Sequence, residues 1–183
     1  MYIVRRHQWI YSVPGALLAA VLATPATAQT VTVTAQWTVP PTCTLSANTP
    51  FTTADFSVAG TNSATATVNC NKGFKINATS QKGAIRTPTA APTNFANMLP
   101  YSLQVNVPLD DGSFSTASCP AALLVAGQGG CALSPGNING LSSGGKIATN
   151  KSASLAVSWG LSPTRLIAGS YSDTITLSIA IAQ

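Results

Sequence analysis

The clearest shortage in this sequence is charge, because only 7% of its 183 residues are Asp, Glu, Lys or Arg, against roughly 25% in an ordinary soluble domain. Glutamate is absent, the acidic residues are all aspartates, and His7 is the only histidine. The sequence has very few side chains that could form a histidine base, a catalytic carboxylate pair or a His/carboxylate metal site. We therefore expect no enzymatic activity, no cofactor and no metal site.

The N-terminal segment has the order of a secretory signal peptide. A basic pair, Arg5-Arg6, precedes an apolar run from Ala16 to Leu22, and the small-x-small sequence Ala26-Thr27-Ala28 follows. The apolar run is too short to span a membrane as a helix, although a retained N-terminal anchor is the alternative. We expect residues 1–28 to be cleaved from an exported protein. Cleavage removes His7, which excludes a Ser-His-Asp triad.

Cysteine usage agrees with export. After the signal there are four cysteines, Cys43, Cys70, Cys119 and Cys131, and an even number in an exported chain favours disulfides. Of the three possible pairings we favour Cys43–Cys70 and Cys119–Cys131, since each closes a local loop, worth roughly 3.5 and 3 kcal/mol on the loop-entropy model. A zinc site of four cysteines is the alternative, but its ligands are usually paired at closer spacing.

Apolar residues alternate with Ser, Thr and Asn at a period of two in six segments, and no stretch of useful length has the helical period. The apolar sets are Val31/Val33/Ala35/Trp37/Val39, Ala64/Ala66/Val68/Cys70, Phe74/Ile76/Ala78, Tyr101/Leu103/Val105/Val107, Ala153/Leu155/Val157/Trp159 and Ile175/Leu177/Ile179/Ile181. Each set lies on one face of a strand. Several one-sided strands predict an all-β fold, an antiparallel β-sandwich.

Turn residues separate these segments. Asn71-Lys72-Gly73 fits a short hairpin loop between the second and third segments. Asp110-Asp111-Gly112 follows the fourth, where a turn is favoured over a cation site. The glycine-rich segment 127–145 is typical of a surface loop, and the Cys119–Cys131 bridge would hold its start.

The first alternating segment has an unusual position. It begins directly after Gln29, and Pro40-Pro41 interrupts it before Cys43 starts the body. It is either the first strand of its own sandwich or a donor strand that completes the sheet of a neighbouring molecule. Burial of its five apolar side chains could contribute roughly 10 kcal/mol, which is comparable to the stability of a small domain.

Four features resemble a chaperone–usher pilin, most closely the archaic, spore-coat-U-like family. The alternating strand from Thr30 to Val39 follows a signal, Cys43-Thr44-Leu45 follows that strand, and Leu99-Pro100-Tyr101-Ser102-Leu103 is similar to a central strand of the family. The most specific match is the segment Ala168–Ile179, which is similar to the family's closing strand. The second cysteine pair and the glycine-rich loop are not characteristic of the family.

The resemblance implies an incomplete immunoglobulin-like antiparallel β-sandwich that is completed by donor-strand exchange. Residues 29–41 would be the donor segment and residues 42–183 the pilin body. Val31, Val33, Ala35, Trp37 and Val39 would fill a groove, and one wall of that groove would consist of Tyr171, Ile175, Leu177, Ile179 and Ile181.

It also implies partners and a location. The partners would be other copies of the chain or related pilins, a periplasmic chaperone and an outer-membrane usher. The protein would pass through the periplasm into a cell-surface pilus that supports adhesion and biofilm formation. Because the remaining charges are scattered, we expect no nucleic-acid partner. The alternative function is a secreted, self-complete β-sandwich binding module, a tip adhesin or a coat protein.

Two further residues have competing roles. Asp173 shares a strand face with Ile175, where a carboxylate is costly unless it is hydrogen-bonded. We expect it to bind loop amides at the end of the strand rather than to act in catalysis. We expect Trp159 to pack in the core, with sugar binding as the alternative for the tryptophans.

Overall fold

The computed structural model describes residues 34–135 and 140–182. The predicted signal peptide, and Val31 and Val33 of the predicted donor strand, lie outside the described residues. The chain divides into two compact units, Met1–Thr38 and Val39–Gln183. In the first unit, residues 34–38 belong to no strand and their side chains are exposed. Over the described ranges, no helix is long and apolar enough to cross a membrane.

The second unit, which we call the body, is all-β apart from one 3₁₀ turn, Ala121–Leu124. Its strands are β1 (Cys43–Thr49), β2 (Gly60–Cys70), β3 (Phe74–Ser80), β4 (Ile85–Arg86), β5 (Phe95–Ala96), β6 (Met98–Leu99), β7 (Ser102–Pro108), β8 (Phe114–Pro120), β9 (Leu141–Ser142), β10 (Ala148–Trp159), β11 (Arg165–Leu166) and β12 (Ile175–Ile181).

Two antiparallel sheets contain all the longer strands. The first sheet has the order β1-β2-β10-β7-β8, and the second has the order β12-β3-β9. The two-residue strands form an antiparallel pair, β4 with β6, and a parallel pair, β5 with β11. The prediction of an all-β fold with antiparallel sheets is confirmed.

The predicted alternation places the side chains as expected in β2, β3, β7 and β10. Their apolar members are buried and belong to one hydrophobic core that both sheets share: Ala64, Ala66, Val68, Cys70, Phe74, Ile76, Ala78, Leu103, Val105, Val107, Ala153, Leu155, Val157 and Trp159. The intervening Ser, Thr and Asn side chains lie toward the other face. Trp159 is 7% exposed, which confirms its packing role, and its Nε1 donates a hydrogen bond to the Val58 carbonyl at 2.8 Å.

The hairpin prediction for Asn71-Lys72-Gly73 is wrong. These residues connect β2 to β3, which lie in different sheets. Cys70 and Phe74 are both fully buried in the shared core, so the chain crosses from one sheet to the other instead of turning back. A Cβ on Gly73 would lie 2.7 Å from the Cα of Gly145, so glycine permits this close crossing of two backbones.

Both predicted disulfide pairings are confirmed. Cys43–Cys70 joins β1 to β2 where these strands pair. Cys119–Cys131 joins β8 to the start of the segment that precedes β9. No cysteine among the described residues is free.

The pairing registers define two ends of the body. At one end, which we call the linker end, Cys43 pairs with Cys70 and Ile181 pairs with Phe74. At the opposite end, which we call the far end, Gly60 pairs with Trp159 and the strand β12 begins. The chain enters the body at the linker end through Pro40 and Pro41. Strand β1 therefore runs away from the linker end, and β12 runs toward it.

Candidate strand-acceptor groove

Strands β1 and β12 form the open side of the body. Each is the edge strand of its sheet, β1 pairing with β2 and β12 with β3. The two edges contact each other across the sheets, but no ladder joins them within the described ranges. An edge strand presents a row of unpaired backbone N–H and C=O groups, and within the described ranges no strand pairs with the free edges of β1 and β12. We call the space between β1 and β12 the groove.

The side chains along the groove are apolar and only partly buried. On β12 the alternation puts Ile175, Leu177, Ile179 and Ile181 on one partly buried face, while the residues between them are exposed. Ile175, Leu177 and Ile179 pack against the core, and Leu45 of β1 does the same from the other edge. The equivalent face of β3 is buried along the whole strand, and that of β2 is buried from Ala64 to Cys70. Four of the five predicted wall residues thus lie along the groove, with their apolar surface incompletely covered.

The opposite side of the body is closed. There, β8 and the 3₁₀ turn lie against β9 and β3, and Ser115 Oγ donates to the Ser142 carbonyl at 2.8 Å. The segment after Cys131 covers the second edge of β3, because the Leu133 carbonyl accepts from the Ala78 N–H at 2.8 Å. Leu133 is fully buried. The Cys119–Cys131 bridge therefore holds residues 131–135 over this side, and we call this segment the plug. No described segment covers the groove side in the same way.

At the far end the groove opens into a cavity of about 490 Å³. Aromatic rings line much of it, namely Phe51, Phe56, Tyr101, Trp159 and Tyr171, and Ile175 of β12 lines it as well. Phe56 meets Trp159 edge-on, with ring centroids 5.1 Å apart, a favourable arrangement for aromatic pairs. Tyr171, the fifth predicted wall residue, precedes β12 and lines this cavity instead of the strand face.

Asp173 organises the polar side of the cavity. Its Oδ2 accepts hydrogen bonds from Tyr101 Oη at 2.7 Å and from Ser80 Oγ at 2.5 Å. Its Oδ1 accepts from the backbone N–H groups of Lys82, at 3.0 Å, and of Thr174. The prediction that Asp173 binds loop amides is confirmed, and the two hydroxyl donors are an addition to it.

Tyr101 stays protonated in this network. Its burial, together with its hydrogen bond to the Asp173 carboxylate, raises the pKa of Tyr101 well above its ordinary value near 10. The phenol therefore remains a hydrogen-bond donor throughout the physiological pH range. The contacts of Asp173 fix the loop between β11 and β12 onto the end of β3, which positions the first residue of the groove wall.

The described part of the predicted donor segment is exposed. Residues 34–42 belong to no strand. Ala35 is exposed, and the exposed fractions of Trp37 and Val39 are 86% and 79%.

The aspartates at the β7–β8 turn have structural partners. Asp111 forms an ion pair with Lys146 at 2.7 Å, and Asp110 accepts from Thr149 N–H and Oγ1. The Lys146 ammonium and the Ser113 donors lower the pKa of Asp111, and the Thr149 donors lower that of Asp110. These contacts agree with the predicted turn. Over the described ranges, no group of three His, Cys, Asp or Glu side chains could hold a metal ion.

Sequence reasoning missed part of the groove. Leu45 lies two residues after Cys43 and shares its strand face. Two apolar residues at this spacing are too few to predict a strand. Phe51 and Phe56 lie between β1 and β2 without any period of two, so no pattern indicated their place in the cavity.

Comparison with known proteins adds no relative to this geometry: no family model, no curated protein and no solved structure matches the chain.

Proposed function

We propose that the protein is a structural subunit of a surface fibre and polymerises by donor-strand complementation, as chaperone–usher pilins do. The observation that carries this proposal is the pair of unpaired edges, β1 and β12, with partly exposed apolar side chains between them. The body is then an immunoglobulin-like sandwich that lacks one strand, and residues 30–39 of a second copy supply it. The role is structural and not catalytic.

The direction of the donor strand follows from where the body begins. The donor segment leads through Pro40 and Pro41 into the linker end. A donor parallel to β12 would leave the acceptor at the acceptor's own linker end, so the linker ends of successive copies would crowd together. A donor antiparallel to β12 leaves at the far end, and copies then stack linker end against far end. Such a heterologous contact generates a filament as long as successive copies do not close into a ring.

In one register of an antiparallel donor strand, a large donor side chain lies opposite the aromatic cavity. The pairs on the groove side are Val31 with Ile181, Val33 with Ile179, Ala35 with Leu177, and Trp37 with Ile175. Because Ile175 lines the aromatic cavity, Trp37 enters it, while the smaller donor side chains lie along the rest of β12. A slip of one residue would turn every apolar side chain away from the core, so a tryptophan in a matching cavity fixes the register.

The energy of this exchange is large for a body of this size. The four donor side chains paired in this register, at about 2 kcal/mol each, contribute roughly 8 kcal/mol of apolar burial. Native domains are stable by about 5–15 kcal/mol in total. The body alone would be poorly stable, whereas the filament would dissociate very slowly.

The same groove explains the need for assembly partners. A periplasmic chaperone would protect it with a strand of its own after residues 1–28 are removed, and an outer-membrane usher would exchange that strand for the next copy's residues 30–39. The donor and the chaperone compete for one groove, so a peptide of residues 29–39 should displace the chaperone from the body.

The direct test uses the protein without residues 29–39. This truncated protein should not form filaments, yet it should bind a synthetic peptide of residues 29–39 with a large gain in melting temperature. The matched control peptide carries Val33→Ser and Trp37→Ser on the groove-facing side and should not bind. Filaments from the truncated protein, or equal stabilisation by both peptides, would show that the groove is not the site of assembly. The second result would favour a self-complete module.

A further inference from the structure

The far end of the body carries an apolar surface that the groove does not use. Val58, Phe95 and Leu161 are 55%, 42% and 69% exposed. Phe95 and Leu161 both line a hollow of about 530 Å³, together with Phe56 and Leu166. We call Val58, Phe95 and Leu161 the far-end patch. Exposed apolar clusters of this kind mark interaction sites on soluble proteins.

The linker is fixed to the opposite end of the body. Asn71 Nδ2 donates to the Pro40 carbonyl at 3.0 Å, and Asn71 Oδ1 accepts from the Thr42 N–H at 2.7 Å. The backbone N–H of Asn71 donates to the Thr42 carbonyl at 3.1 Å. Two consecutive prolines add the stiffness of an extended polyproline segment. The chain between residue 39 and Cys43 is therefore a short, held joint.

The length of this joint limits the distance between successive bodies. Three residues, 40–42, span at most about 10 Å. In the antiparallel arrangement the donor strand leaves its acceptor at the far end, so the next body begins within that distance of the end of the groove. Phe56 lines both the cavity at that end of the groove and the hollow beside Phe95 and Leu161. The linker end has exposed apolar side chains of its own, Phe114 at 62% and Ile147 at 40%. Both surfaces of this junction thus offer apolar area.

We propose that the far-end patch is a docking surface for the linker end of the next copy of the chain. This inference rests on the proposed function and adds a second contact to it, between body and body. The contact covers the hollow between Phe95 and Leu161 and, with the joint held by Asn71, sets the angle between successive subunits. The donor strand supplies most of the binding energy, and the patch supplies stiffness.

Hydroxyl-radical footprinting of the filament tests the contact. The reference is the truncated protein saturated with the peptide of residues 29–39, which has a filled groove but no neighbouring body. Oxidation of Leu161 should fall roughly fivefold in the filament, because its exposed side chain enters the core of an interface. Equal oxidation of Leu161 in the filament and in the peptide-saturated truncated protein would overturn the docking surface. The proposed function would still be supported if the truncated protein binds the peptide.

Substitution gives a second readout. Phe95→Ser with Leu161→Ser should leave peptide binding unchanged but broaden the distribution of angles between successive subunits in electron micrographs. Gln104→Ser is the matched control, since Gln104 is exposed on β7 away from both ends. Equal angle distributions for the two variants contradict the docking surface. If the unmodified chain forms no filaments and binds no peptide, the proposed function fails, and this inference fails with it.

Discussion

Replacement of Trp37 by alanine should weaken donor-strand binding more than any other single change in the segment. Trp37 is 86% exposed in its own chain and enters a cavity of about 490 Å³ in the proposed assembly. Burial of a large aromatic side chain contributes about 3 kcal/mol. Loss of that amount corresponds to roughly 150-fold weaker binding.

The assay is competition between peptides of residues 29–39 for the truncated protein. The Trp37→Ala peptide should bind roughly 150-fold more weakly than the unchanged peptide. Thr38→Ala is the matched control, because Thr38 is the next residue and lies on the opposite strand face, and it should change the affinity little. Trp37→Phe should recover part of the loss, since a phenyl ring still occupies the cavity.

Two results would contradict this placement of the Trp37 side chain. Equal affinities for the Trp37→Ala and Thr38→Ala peptides would show that Trp37 does not enter the cavity. A larger loss for Thr38→Ala than for Trp37→Ala would show that the register is shifted by one residue, with the other strand face toward the core.

Three further variants test the body itself by urea denaturation of the peptide-complemented protein. Tyr101→Phe should cost about 1–2 kcal/mol at pH 7. Because the pKa of Tyr101 is raised in the folded state, its stabilising effect is complete below pH about 10 and declines above it. The Tyr101→Phe variant should therefore lose less stability than the unmodified protein as the pH rises above that value. An equal loss of stability in the two proteins would contradict this. Replacement of both cysteines of the second bridge (C119S/C131S) should cost about 3 kcal/mol, and an unchanged midpoint would show that the bridge does not hold the plug. Gly73→Ala should cost about 2 kcal/mol, since its Cβ would lie 2.7 Å from neighbouring backbone, whereas Gly160→Ala meets open space and should be nearly neutral.

The central strands of the body were predictable from the sequence. In β2, β3, β7 and β10 a strictly alternating pattern coincides with one fully buried face, so the period of two carries the information directly. The disulfide pairings were also predictable, because local loops close most readily. The partly buried face of β12 shows the same pattern, although alternation alone does not distinguish partial burial from complete burial.

Other elements were not predictable for physical reasons. Strand β8 turns Ser115, Ala117 and Cys119 toward the core, and small or polar side chains give no apolar period. Strand β1 is an edge strand on which Leu45 is the only large apolar side chain. The segment between Cys70 and Phe74 has the residues of a hairpin, but its direction depends on which sheet each strand joins, which local turn chemistry does not determine.

The low charge of the chain is consistent with packed subunits. The outer faces of β2 and β10 carry Ser, Thr and Asn in place of charged residues. Both ion pairs among the described residues lie at the linker end, where Asp110 and Asp111 pair with Lys151 and Lys146. A surface with little charge has little electrostatic repulsion between neighbouring copies.

Cryo-electron microscopy of the assembled protein would show directly whether donor-strand exchange joins successive copies. We expect an additional strand between β1 and β12, antiparallel to β12, with the Trp37 side chain in the aromatic cavity. That strand should continue through Pro40 into the body of the next copy. An empty groove, or a strand between β1 and β12 that continues into the same body, would contradict donor-strand assembly.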